Sequence, residues 1–295
     1  MQPACLDRTG NGVFPLTALP AATVDLHLHS TASDGQLEPE VVVERAARAG
    51  LAAIALTDHD TLAGVAAAQQ AGHRLGVRVI GGCEFSVSAP WGEMHVLGYF
   101  LPPDSAELNE FLQRCREDRI RRGRAMAERL QALGVPVTFD DILAASGHGA
   151  VGRPHVARAI IAKGAARDLN DAFDRFLGRG RPAYVPKTLP PLREVTRIVH
   201  QVGGLLSAAH LKDRATRSVL ERFRRDGLDA VETRHPSHGP DQRARLTDLA
   251  LALGLLRTGG SDWHGDPRPD GSHGTIGSEA VPAEWLDALE TRLAA

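Results

Sequence analysis

Two imidazoles two positions apart, in Asp25-Leu26-His27-Leu28-His29, are the first chemistry-bearing feature of this 295-residue sequence. In an extended strand alternate side chains share a face, so His27 and His29 point the same way and can grip one ion together. Further polar sets follow in Thr57-Asp58-His59-Asp60, at Glu84, His95, His210 and Glu232, and in Ser261-Asp262-Trp263-His264. A carboxylate or imidazole that leaves water is costly unless it is paired, hydrogen-bonded or bound to metal, and clustered acids repel one another. Divalent cations remove both costs. Imidazole mixed with carboxylate, without thiolate, suits Mn, Zn or Fe(II) better than a Cys-type structural zinc site or an all-oxygen Mg cage. Mn or Zn is favoured.

A single His-x-His is common by chance, so the argument rests on joint placement. Six of the thirteen histidines and three carboxylates fall in or just after expected strands, whereas surface histidines should scatter without regard to strand ends. His73 and His200 lie in helical patterns and read as bystanders. His148, His238 and His273 lie in Gly/Ser-rich loops and read the same way. Cys83 reads as a small packing residue.

The elements that must position these groups are short apolar runs alternating with helical patterns, the sign of βα units around a parallel sheet. Strands are expected at Val24–Leu28, Ala52–Thr57, Val77–Gly82, Met94–Phe100, Leu205–Ala209, Leu228–Glu232 and Leu255–Gly259. Helices are expected at Pro39–Ala49, Thr61–Leu75 with Asp60 as its cap, Pro191–Val202, Ala215–Arg225 and Asp241–Leu253. In parallel α/β folds function collects where strands end. The polar residues therefore favour an α/β barrel of seven strands, although strand count alone leaves a doubly wound sheet open.

Between residues 101 and 187 the strand pattern gives way to helical segments, which reads as an inserted helical subdomain within a barrel formed by residues 23–100 and 188–295. Residues 100–190 carry fifteen Lys/Arg against eleven Asp/Glu, so this middle is mildly basic while the whole chain is at −2. That balance argues against a duplex-DNA clamp. No stretch is apolar enough for a membrane span, and residues 1–22 read as a flexible leader without a secretory h-region. Three widely spaced cysteines suggest a reducing, cytoplasmic setting.

The stretches Asp25-Leu26-His27-Leu28-His29-Ser30-Thr31-Ala32-Ser33-Asp34-Gly35, Thr57-Asp58-His59-Asp60-Thr61, Gly82-Cys83-Glu84-Phe85, Ala209-His210 and Gly260-Ser261-Asp262-Trp263-His264 together resemble the polymerase and histidinol phosphatase (PHP) family. The resemblance implies a distorted seven-stranded barrel binding up to three divalent metal ions. It implies one ion on His27, His29, Glu84 and Asp262, a second on Glu84, His95 and His210, and a third on Asp34, His59 and His264. His210 is followed by Leu211 where the family often has Pro, which leaves His155 as an alternative ligand, though a phosphate contact is preferred for it.

The arginine-rich insertion is similar to that of the branch acting on nucleoside 3′,5′-bisphosphates and of RNase AM, a 5′→3′ exoribonuclease. The resemblance thus implies hydrolysis of a 3′-phosphate, or of 5′-phosphorylated short RNA, by a water activated between ions rather than by a protein nucleophile. Arg119, Arg122 and Arg153 are expected phosphate contacts, because guanidinium forks match phosphate oxygens. The bland alternative is a solvated helix face paired with Glu117, Asp118 and Glu128. Asp58 and His235 are the candidate general acids. Competing readings are a histidinol-phosphate phosphatase, an amidohydrolase, which lacks its strand-end Lys here, and a non-catalytic metal-binding scaffold. Oligomeric state is not legible.

Overall fold

A computed structural model describes residues 22–147, 149–265 and 273–295. His148 and, except for Ala22, the expected leader lie outside them. The chain runs β1 (Thr23–Leu28), α1 (Pro39–Arg48), β2 (Ala53–Leu56), α2 (Val65–Leu75), β3 (Arg78–Ala89) and β4 (Gly92–Tyr99). Helices α3 (Ala106–Ala132), α4 (Phe139–Ser146), α5 (Arg153–Ala162) and α6 (Leu169–Ala172) follow, with a π-helical turn at Phe173–Leu177. The remainder is α7 (Leu192–Gln201), β5 (Leu205–Ala208), α8 (Arg217–Arg225), β6 (Ala230–Arg234), α9 (Pro240–Leu253), β7 (Leu256–Gly259), β8 (Val281–Pro282) and α10 (Ala283–Leu293).

The strands form one sheet in the order β7-β6-β5-β4-β3-β2-β1-β8. Its two ends almost meet. Leu28 and Trp263 form a parallel bridge, and the His29 N–H donates to the Trp263 carbonyl at 3.0 Å, which draws the end of β7 against β1. Gly260 permits that approach, because a Cβ there would lie 2.4 Å from the His27 Cβ. The result is a nearly closed, distorted barrel of the expected class.

Three departures from the sequence reading have physical reasons. The sheet is mixed rather than parallel, since β4 runs antiparallel to both β3 and β5. Only Pro90 and Trp91 separate β3 from β4, and a two-residue link can join only antiparallel neighbours, with Gly92 at φ 115° absorbing the turn. Strand β3 therefore continues past Gly82 to Ala89, and Glu84 lies within it, opposite Leu97, not at its end. Finally, Asp60 caps no helix. It sits at φ 52° with its carboxylate on Arg119, and α2 starts at Val65 with Gly64 as its cap. The two-residue β8 and helix α10, for which no expectation was drawn, add an antiparallel edge beside β1.

The apolar residues of the barrel form three clusters around the sheet. The insertion has its own, from Met126 to Val185. Helix α3 belongs to both: Leu108, Phe111 and Leu112 pack with the barrel, and Met126, Ala127 and Leu130 with the insertion. The buried Arg119 and Arg122 lie between these two apolar stretches. Helix α3 thus links the two sets of apolar residues.

Candidate metal centre

Strand alternation delivers what the first motif suggested, with His27 and His29 both fully buried at the end of β1. His27 Nε2 and His29 Nε2 lie 3.4 and 3.2 Å from Glu84 Oε2, and 3.2 and 3.3 Å from Asp262 Oδ1. These four residues present one ligand atom each within 4.8 Å of one another, as do His29, Asp34, His59 and His264, and also His59, Glu84 and His95. His210 Nε2 joins from the far side, 3.1 Å from Glu84 Oε1. All nine expected ligand positions therefore converge on one mouth, with Glu84 in the middle.

The donor set has the signature of an ion site. Five buried ligand-type atoms, His27 Nε2, His29 Nε2, Asp34 Oδ1, His59 Nδ1 and Asp262 Oδ1, make no hydrogen bond. Buried polar atoms are normally satisfied, and each of these five residues belongs to one of the first two groups above. A hard or borderline divalent cation fits this mixture of imidazole and carboxylate. Backbone strain marks the same place, since His210 and Asp262 adopt φ 32° and 50°, a region non-glycine residues rarely enter.

The imidazoles and carboxylates of the cluster shift one another's titration. Burial would raise the Glu84 carboxyl, yet the surrounding imidazoles of His59, His95 and His27 pull it well below its ordinary range. Asp34 and Asp262 are pulled down in the same way by their histidine neighbours. His59 instead yields to burial and drops well below the usual imidazole value.

A second ring of contacts orients the ligands. Glu232 Oε1 lies 3.0 Å from His27 Nδ1, and Glu93 Oε1 lies 3.1 Å from His95 Nε2 while also pairing with Lys187. Asp25 ties β1 to the Asp262 loop by accepting the Ser261 N–H at 3.0 Å and the Gly277 N–H at 2.8 Å.

The expected substrate and acid residues separate. Arg122 and Arg153 line the pocket that the metal-ligand cluster opens into, as do Lys187, Pro154 and Phe173. Arg122 donates to the Val185 carbonyl at 3.0 and 3.1 Å, and among the described residues it has no carboxylate partner. Burial, with Arg119 and Arg153 nearby, lowers it to about 10. Arg119 also lines the pocket, but its guanidinium is paired with Asp60 at 2.6 Å in a buried ion pair. The solvated-face reading of these arginines does not describe Arg119 or Arg122, which are buried.

His155 faces its own helix start. Its Nδ1 accepts the Gly152 N–H at 3.0 Å, its ring also bonds the Ser33 backbone, and it belongs to none of the ligand groups. Asp58 is saturated by the Ser30 N–H at 2.8 Å, the Ser30 hydroxyl at 2.7 Å and the Ser33 hydroxyl at 2.6 Å, so it shapes the loop that carries Asp34. His235 does line the pocket, with Nε2 3.3 Å from Asp262 Oδ2.

Sequence reasoning left several neighbours without a role. Glu232 was visible as a strand-end acid, and Glu93 sits two positions before His95 on the same face. His273, read as a bystander, stacks on His264 at 4.2 Å and shares a ligand group with Asp262 and His264. Nothing local to the sequence around His273 signals that convergence.

Comparison with known proteins agrees with this geometry. The PHP domain model matches residues 25–250. The 5′-3′ exoribonuclease Rnm of Salmonella typhimurium is 34% identical over 251 residues, covering 83% of this chain and 86% of that protein. The 3′,5′-nucleoside bisphosphate phosphatase of Chromobacterium violaceum is also 34% identical over 251 residues, covering 82% and 87%. Among solved structures, a Bifidobacterium adolescentis chain described as a metal-dependent phosphoesterase superposes with a TM-score of 0.84 at 33% identity, covering 92% of this chain and 97% of that one. A Chromobacterium violaceum chain described as an amidohydrolase with bound sulfate and no metal gives 0.80 at 31% identity, with the same coverage. With the motifs, the barrel and the ligand cluster in agreement, the chain belongs to the PHP family of metal-dependent phosphoesterases.

Proposed function

We propose that this enzyme removes the 3′-phosphate from nucleoside 3′,5′-bisphosphates. The observation that carries the reading is a single pocket lined both by the His and carboxylate cluster and by the cations Arg122, Arg153 and Lys187. A substrate with two phosphates can engage both sets of groups at once, and similarity to the bisphosphate phosphatase points the same way. Histidinol phosphate would place an ammonium against these cations, which disfavours it.

His27, His29, Glu84 and Asp262 would hold one ion, Glu84, His95 and His210 a second, and Asp34, His59 and His264 a third, with Mn favoured over Zn or Fe. Divalent ions held there supply Lewis acidity and the means to ionise water near neutral pH. The chain itself positions and protonates. Arg122 and Arg153 orient the 5′-phosphate, and burial of Arg122 strengthens its charge-assisted bonds. His235 lines the pocket, with Nδ1 2.8 Å from the Ser237 hydroxyl and Nε2 3.3 Å from Asp262 Oδ2, and is the candidate to protonate the departing alkoxide.

Short 5′-phosphorylated RNA is a second substrate reading, favoured by a groove that continues past His95 and His210 to Trp91 and Arg214 and so leaves room beyond one nucleotide. Similarity to the exoribonuclease supports it. Among the described residues no helix is long and apolar enough to cross a membrane. The deciding experiment measures kcat/KM of the Mn-loaded protein on 3′-phosphoadenosine 5′-phosphate, 5′-phosphorylated short RNA and histidinol phosphate. The bisphosphate should lead. A clear preference for histidinol phosphate would overturn the reading.

A further inference from the structure

The wall of the pocket holds one residue that neither metal binding nor phosphate binding accounts for. The lining is almost wholly charged or polar, yet it includes the half-buried ring of Phe173 beside Pro154. The other phenylalanine of the same turn, Phe176, is 9% exposed and packs into the core of the insertion, as expected for an apolar side chain with a choice. Phe173 packs against the same core but keeps part of its ring at a cavity filled with charge. Its place is set by unusual backbone: it opens the π-helical turn Phe173–Leu177, with the Gly178 N–H reaching back to the Phe173 carbonyl at 2.7 Å. Such turns are rare and concentrate at functional sites.

Arg153 completes the surface. Its guanidinium lies 5.7 Å from the Phe173 ring centre and 5.8 Å from that of Tyr184, so a planar cation is braced between two aromatic rings at the pocket edge. A flat ring next to a flat guanidinium offers π-faces, not hydrogen-bond readout. A flat, electron-rich heterocycle linked to a phosphate held by Arg122 and Arg153 is the ligand chemistry that uses both.

We propose that Phe173, with Arg153, is the shelf on which the substrate's nucleobase stacks. The proposal rests on the bisphosphate reading above and adds to it the determinant that separates nucleotides from bare sugar phosphates. Because stacking is nearly indifferent to base identity, the shelf should accept all four bases with modest preference for purines.

The test compares wild type with Phe173→Leu, which keeps an apolar side chain against the insertion core but removes the flat face, and with Phe173→Trp, which restores one. Two readouts are used: the ratio of kcat/KM for adenosine 3′,5′-bisphosphate to that for ribose 3,5-bisphosphate, and the calorimetric affinity ratio of adenosine 5′-phosphate to ribose 5-phosphate. Wild type should favour the adenine-bearing ligand in both. Phe173→Leu should shrink each preference by about tenfold or more, the scale of one base stacked on one aromatic ring, and Phe173→Trp should recover it. If wild type prefers the nucleotide and Phe173→Leu leaves that preference intact, the shelf is wrong and the bisphosphate reading survives. If wild type hydrolyses neither bisphosphate, both fall together.

Discussion

Glu232 Oε1 lies 3.0 Å from His27 Nδ1 with both side chains fully buried, while Glu232 Oε2 accepts the His210 backbone N–H at 2.7 Å. One carboxylate thereby fixes the tautomer of one expected ligand, turning His27 Nε2 toward Glu84 and Asp262, and the backbone of another. Such outer partners typically change metal affinity by about 10–100-fold when mutated. Glu232→Gln, similar in shape but uncharged, should weaken Mn binding by about that factor in a metal titration while the metal-free protein keeps its circular dichroism. Wild-type affinity in this variant would remove Glu232 from the site's design.

Metal loading should expel protons. In the metal-free protein burial opposes charge on His29, but attraction from the adjacent Asp262 and Glu84 carboxylates wins and raises it to about 10. At His95 burial is likewise overcome, by Glu84 and Glu93, and the ring reaches about 9. Both rings are thus charged at pH 7.5, and an imidazole must free its ligating nitrogen before it can hold a cation. Affinity therefore falls as pH falls, and binding at pH 7.5 should release at least one proton. Calorimetry in two buffers of different ionisation heat measures this directly, and a heat independent of buffer would contradict it.

How much of this was legible depended on whether the signal was local. His27 and His29 could be assigned to one face because alternation is a property of the strand itself, and the strand-end Asp262 and His264 followed the same logic. The direction of β4 was hidden because the reading ended β3 at Gly82 and overlooked the two-residue Pro90-Trp91 link. The roles of Asp60 and Arg119 were hidden for a different reason. Fifty-nine positions separate them, and charge pattern alone cannot distinguish a phosphate-binding arginine from one neutralised by a distant acid. His155 carried a local clue, since a His three positions after Gly152 can reach back to the Gly152 N–H as a cap.

Arg119 and Arg153 should fail in opposite ways. Arg119→Met would strand the Asp60 carboxylate, which is 4% exposed, without its partner, and breaking a buried pair on one side costs about 3–5 kcal/mol. A denaturant titration should show that loss. Arg153→Ala leaves no buried acid behind and should act on substrate instead, lowering the kcat/KM ratio of doubly to singly phosphorylated substrates by about 10–100-fold, chiefly through KM. An Arg153 variant that loses as much on p-nitrophenyl phosphate as on a bisphosphate would detach Arg153 from the second phosphate.

The two candidate acids can be separated by leaving group. Asp58 accepts three hydrogen bonds at 2.6–2.8 Å from Ser30 and Ser33 and is not among the residues that line the pocket. Asp58→Asn should therefore disturb the loop leading to Asp34 and lower stability, yet keep the shape of the pH-rate profile. His235 stands in the pocket. His235→Gln should cut kcat about 10²–10⁴-fold on a ribose 3′-phosphate, whose alkoxide needs a proton, and far less on p-nitrophenyl phosphate, whose leaving group departs as a stable anion. Because His235 also groups with His27 and Glu232, metal content must be measured in the same samples. If both substrates slow equally while metal content is intact, proton donation is not what His235 does; if metal content falls, it serves as a ligand.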